Sequence, residues 1–163
     1  MSKEKVKSKK KTTKKEEIEK LAKYFPDLYD RQYDYFNSPR MEELIKSTNS
    51  DVINTTYLGN YSGDALMILR RDNKFGLLIF GYGSCSGCDA LKACNDYKDL
   101  YNLREALHKS VIWKEYTEFV EYLKDKDWDA EFYCAGDKKR TTLIKQFVKE
   151  SKSKMLMTHL SGI

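Results

Sequence analysis

Proline is nearly absent from this chain of 163 residues: only Pro26 and Pro39 occur, both near the front. Histidine is as scarce, with His108 and His159 alone, so no HxxxH pair can hold a metal. The four cysteines follow no apolar leader, which argues against a secreted disulfide framework and for a reducing, cytoplasmic setting. No run approaches the roughly 18 consecutive apolar residues of a membrane-spanning helix, so no membrane role is expected. Internal repeats are missing too. What remains is ample for one packed domain: 40% hydrophobic and 13% aromatic residues exclude wholesale disorder.

The net charge is +5, but it is unevenly placed. Residues 1–16 hold eight lysines and two glutamates, a net of +6, which leaves 22 basic and 23 acidic groups elsewhere, a net of −1. Val6 is the one apolar residue of this block beyond Met1, so it reads as a disordered Lys-rich tail ahead of a single domain over 17–163. Such a tail can lie along nucleic-acid phosphates with steep salt dependence. It contains no arginine, no aromatic residue and no motif, so a solubilising extension is the plainer account of it.

Ile18, Leu21 and Ala22 predict a short helix after the tail. Phe25, Tyr29, Tyr33 and Phe36 recur at helical spacing, an aromatic stripe more typical of a core than of base stacking. Ser38-Pro39 signals a helix start, with Met41, Leu44 and Ile45 inward and an end before Asn49. The period then changes. Val52–Leu58, Ala65–Arg70 and Phe75–Tyr82 predict about three strands, the last two joined at Arg71–Lys74 as a hairpin. Phe75–Phe80 is apolar on both faces, so this strand should be central and covered on both sides. Helices follow over Leu100–Leu107 (capped by Asp96 with Asp99), over Tyr116–Leu123, and after Asp137 with Leu143, Ile144, Phe147 and Val148 inward. Trp128–Cys134 reads as an extra strand or extended segment, and Met155-Leu156-Met157 finds no place. The fold class is α+β: a small antiparallel sheet with several helices packed on it.

The densest signal runs from Gly81 to Asp89, where three glycines close a buried strand and Ser86 with Asp89 fits a capping box for a following helix. The candidate binding residues are Gly83, Ser84, Cys85, Ser86, Gly87, Cys88 and Asp89, joined by Tyr61 and Asp64 from the neighbouring turn with Tyr57 and Asn60. An anion could sit at the helix start, but no Lys-Ser or Lys-Thr pair follows as a P-loop requires. Cys85 and Cys88 form a CxxC that could donate two zinc ligands, with Cys134, His108 or His159 completing the site through the fold. Cys94 is excluded as a further ligand if the helix continues: six residues rise ~9 Å, whereas two thiolates on one zinc each lie ~2.3 Å from it. The plainest account of the stretch is small residues packing a turn around two reduced thiols. His108, at a helix end, reads as a C-terminal cap, not a general base.

Leu77–Cys88 resembles the active-site strand and helix of thioredoxins, which implies dithiol exchange with a thiolate at Cys85. The likeness ends there: no proline follows Pro39 to face the dithiol, and a hairpin strand replaces the strand and helix that precede the thioredoxin motif. A wider resemblance begins at Gly76–Leu91 and extends through Tyr57–Asp64, Leu103-Arg104-Glu105, Ile112-Trp113 and Lys126-Asp127-Trp128. This pattern, with Gly83-Ser84-Cys85-Ser86-Gly87-Cys88-Asp89 as its most specific part, resembles a family of small uncharacterised bacteriophage proteins. It covers about half the chain and implies provenance, not chemistry: a virus-encoded protein of the bacterial cytoplasm that adjusts host processes or blocks host defence. The combined expectation is a binding protein whose turn engages a host macromolecule or small ligand. A redox protein using Cys85 and Cys88 is the enzymatic alternative, and nucleic-acid association through the tail is the third.

Overall fold

A computed structural model describes residues 12–26, 38–59, 62–83, 89–132 and 137–162. The residue 1–11 part of the basic tail, and Tyr29, Tyr33 and Phe36 of the aromatic stripe, lie outside the described residues. The first helix begins before the boundary that composition suggested. Thr13 accepts from Glu16 N while Glu16 answers the Thr13 N–H, a capping box that starts α1 (Lys14–Tyr24). Helix α2 (Ser38–Lys46) buries Met41, Leu44 and Ile45 as expected, and the chain turns away through Asn49 in a left-handed conformation (φ 60°).

Four antiparallel strands follow, one more than the sequence suggested: β1 (Asp51–Tyr57), β2 (Gly63–Arg71), β3 (Lys74–Tyr82) and the two-residue β4 (Lys114–Glu115), in spatial order β1-β2-β3-β4. β4 escapes notice because two residues cannot establish a period. The β2–β3 hairpin closes through Asp72-Asn73, with Asp72 left-handed (φ 53°). Helices α3 (Tyr97–Ser110), α4 (Tyr116–Asp125), α5 (Trp128–Phe132) and α6 (Lys138–Ser161) complete the described chain. The expected strand at Trp128 is instead α5. Asp127 accepts from Ala130 N, and Trp128 stacks on Phe132 one turn on, at 6.2 Å between ring centroids. Met155 is fully buried on α6, which runs on to Ser161.

The alternation of β2 and β3 divides the core. Ala65, Met67, Leu69, Leu78 and Phe80 face α1, α2 and α3, whereas Leu66, Ile68, Phe75 and Leu77 face α4, α5 and α6. β3 is therefore covered on both faces, as its sequence predicts. Gly76 permits this: a Cβ there would overlap Val111 Cγ1 and crowd Trp113.

One polar contact fastens α6 to the sheet. β1 carries an extra residue between Val52 and Asn54, so Ile53 and Asn54 both serve the α6 side. Asn54 Nδ2 donates to the fully buried Ser151 Oγ (3.0 Å), and Lys154 Nζ donates to Asn54 Oδ1 (2.6 Å). Asn54→Ala should cost about 1–3 kcal/mol, because Ser151 loses a partner inside the core. Ser151→Ala should cost less in the Asn54→Ala background than in wild type, a coupling that urea midpoints across the four proteins will show.

Candidate functional site

The C-terminal end of β3 meets the β1–β2 turn. Asp64 lies opposite Gly81, and Gly63 opposite Tyr82. Tyr82 Oη donates to Gly59 O (2.6 Å), and its ring meets Tyr57 edge-on at 5.0 Å. Burial raises the Tyr82 phenol above its ordinary pKa, opposed by the Gly59 hydrogen bond and reinforced by Asp64, so it stays a donor. Gly59 is required by packing, since a Cβ would run into the Ser62 carbonyl. The β1–β2 turn and the end of β3 are thus tied together.

Asp89 organises the other half of the site. It is buried, and its Oδ2 accepts from Gly83 N (3.3 Å) while Oδ1 accepts from Leu91 N (2.9 Å) and Lys92 N (3.1 Å). Lys92 Nζ closes the ring by donating to Gly83 O (3.0 Å). Gly83 and Asp89 flank residues 84–88, so both ends of this segment are held by one carboxylate and one ammonium. Ser84, Cys85, Ser86, Gly87 and Cys88 themselves, with Tyr61, lie outside the described residues. Lys92 and Tyr82 went unnoticed in the sequence, because neither their spacing nor their type marks them as partners of Gly83 and Gly59.

The helix expected from Ser86 onward does not materialise among the described residues. Ala93 N donates to Asp89 O and Cys94 N to Leu91 O, a single turn, and the next regular helix begins at Tyr97. Asp89 accepts from the Leu91 and Lys92 N–H groups of that turn; Ser86, its expected partner in a capping box, lies outside the described residues. Cys94 is half-buried and packs against the α1–α3 side of the core, on a turn and not on a helix. Asp96 does cap α3, accepting from Asp99 N (2.8 Å).

The histidines lie at the far end of the sheet. His108, half-buried at the end of α3, pairs its Nε2 with Arg71 Nη1 beside the hairpin turn instead of capping carbonyls. Burial first, then the Arg71 charge, depress its pKa, so the ring is neutral and accepts from the guanidinium. His159 stacks on Tyr116 (4.5 Å), next to Glu115, which pairs with Lys74. From Lys74 to Tyr82 is eight strand steps, about 26 Å, so both histidines lie at the opposite end of the sheet from Gly83. Cys134 lies outside the described residues, and among the described residues no three metal-binding side chains gather. A cleft of about 490 Å³ lies beside Arg71, His108 and Trp113, and a smaller one of about 260 Å³ beside Tyr57, Gly59 and Arg140. Arg140 of α6 reaches α5 and the residue that follows β1 there, donating to Phe132 O (3.1 Å) and Leu58 O (3.4 Å).

The arrangement defines an α+β protein in which the end of β3 is tied to Asp89 and Lys92. No family model matches the chain, nor does any curated protein or solved structure. No helix among the described residues is long and apolar enough to cross a membrane.

Proposed function

We propose that this chain is a binding protein and not an enzyme: a small phage-encoded accessory protein of the bacterial cytoplasm that captures a host macromolecule or ligand with residues 84–88. The observation that carries this reading is the double fastening of Gly83 and Asp89. In this reading a run of small polar and thiol side chains extends from that fastened base, the way recognition loops are presented by a scaffold. Tyr82 and Asp64 extend the contact surface beside it. A redox role would need a helix start beside a thiolate at Cys85; among the described residues the first regular helix after Asp89 begins at Tyr97.

Affinity capture from bacterial lysate, with bound partners identified by mass, tests the reading. The combined variant Ser84→Ala, Cys85→Ala, Cys88→Ala should lose the captured partner while its thermal unfolding stays close to wild type. Joint loss of partner and fold would make the segment structural and overturn the proposal. Turnover in an insulin-reduction assay, abolished by Cys85→Ser, would establish the redox alternative instead.

A further inference from the structure

The near-neutral balance of the domain conceals a strong separation of charge. Helix α6 holds seven basic residues against Glu150 alone, a net of +6. Since residues 17–163 total −1, the remainder outside α6 carries −7. The basic tail is therefore not the sole concentration of positive charge, as composition had suggested.

The lysines of α6 are ordered. Ile144, Phe147, Ser151 and Met155 form its buried face. Lys138, Lys145, Lys149 and Lys152 recur at intervals of seven, four and three on the opposite face, with Lys139 beside them. Lys138 to Lys152 spans about 21 Å of helix. Among the described residues none of these five meets a carboxylate, whereas Lys20, Lys46, Lys124 and Lys126 each have one. Glu150, the one acid of the helix, accepts from Gln146 instead (2.8 Å). Lys145 with Lys149, and Lys149 with Lys152, are like-charge neighbours that destabilise a helix in isolation. A row of unneutralised point charges without arginine or aromatic residues has nothing with which to read or stack bases, but it suits a linear array of phosphates. Leu156, Met157 and Leu160 prolong the same side beyond the last lysine, 43%, 69% and 73% exposed. They occupy little more than one turn, too short an apolar surface to make a lipid bilayer the better occupant.

We infer that the solvent face of α6 binds the backbone of a nucleic-acid duplex, independently of sequence. This surface is distinct from residues 84–88, and the inference does not rest on their binding role.

Fluorescence anisotropy of the full chain with a short DNA duplex of arbitrary sequence, across a potassium chloride series, tests it. Log K should fall linearly with log salt. The variant Lys145→Ala, Lys149→Ala, Lys152→Ala should bind more weakly, with a slope smaller by roughly 2–3 and unchanged thermal unfolding. The variant Lys46→Ala, Lys98→Ala, Lys124→Ala, altered on other helices, should keep the wild-type slope. The inference is overturned if wild type does not bind, or if the two variants lose slope equally, which would indicate diffuse charge. It also fails if the α6 variant keeps its duplex slope but loses binding to phosphatidylserine vesicles, which would make the face a membrane contact.

Discussion

Replacing Asp89 by alanine should destabilise the protein by about 3 kcal/mol and abolish partner capture together. Three backbone N–H groups, of Gly83, Leu91 and Lys92, lose their acceptor, and each buried donor left bare costs about 1–3 kcal/mol before relaxation. Lys92 also loses the carboxylate whose charge offsets its own beside Gly83 O. Asp89→Asn separates the two effects. Its amide oxygen can still accept from Leu91 and Lys92, but its NH2 would oppose the Gly83 N–H. The fold should survive at a cost of about 1–2 kcal/mol, while the strand end is released from the turn. Urea midpoints will give the stability differences, and capture by Asp89→Asn will show whether the framing of residues 84–88 matters to binding. Undiminished capture by that variant would contradict the rigid-base account.

The second large effect concerns the seat of α1. Arg104 is 4% exposed, and its guanidinium reaches Glu17 (3.1 Å) on α1, Glu105 (3.1 Å) on its own helix, and the Tyr101 ring (5.2 Å). Arg104→Met keeps the stem and removes the charge. It should cost about 2–3 kcal/mol, below the roughly 3–5 kcal/mol of a fully buried pair, because both carboxylates can recover water. The pH dependence has a definite sign. Glu17 is held below its ordinary pKa, chiefly by the Lys20 hydrogen bond and further by Thr12 and Arg104, against the opposing effect of burial. A carboxyl with a depressed folded pKa adds stability above its unfolded pKa and loses it as pH falls through the folded one. Wild type should therefore lose this contribution on acidification below the usual glutamate range. Arg104→Met should show a smaller acid-dependent loss, with the Lys20 share remaining. Thermal unfolding at neutral and acidic pH will check both.

The elements with a clean period were legible in the sequence. The β2–β3 hairpin, α3 with its Asp96 cap and α4 with Phe119 and Leu123 all follow the rule that their residues suggest. The misses have physical causes. Met155-Leu156-Met157 could not be placed because Met155 alone turns inward, and the polar Ser151 in the buried face breaks the apolar rhythm that would have carried α6 onward. Ser151 is there to meet Asn54, 97 residues away in sequence, and no local pattern encodes that. The charge separation was hidden in the same manner: a sum over residues 17–163 cancels α6 against the rest, and only the helix face shows the lysines aligned. At the candidate site, the glycines marked the turn and Asp89 stood out as polar. What the sequence did not show is that Asp89 also holds the strand end, through Gly83 N, a partner that no local spacing marks.

Every strand of the sheet pairs with its neighbour along the chain, so the hairpin at its centre can close before the rest is made. As the chain leaves the ribosome, α1 and α2 are already present to shield Met67, Leu69 and Leu78. Leu66, Ile68 and Leu77 must wait for α4 and α6, which emerge only after the β2–β3 hairpin. The nascent protein thus passes through a stage with one sheet face dressed and the other bare. That stage is when it has most need of a chaperone and is most prone to aggregate.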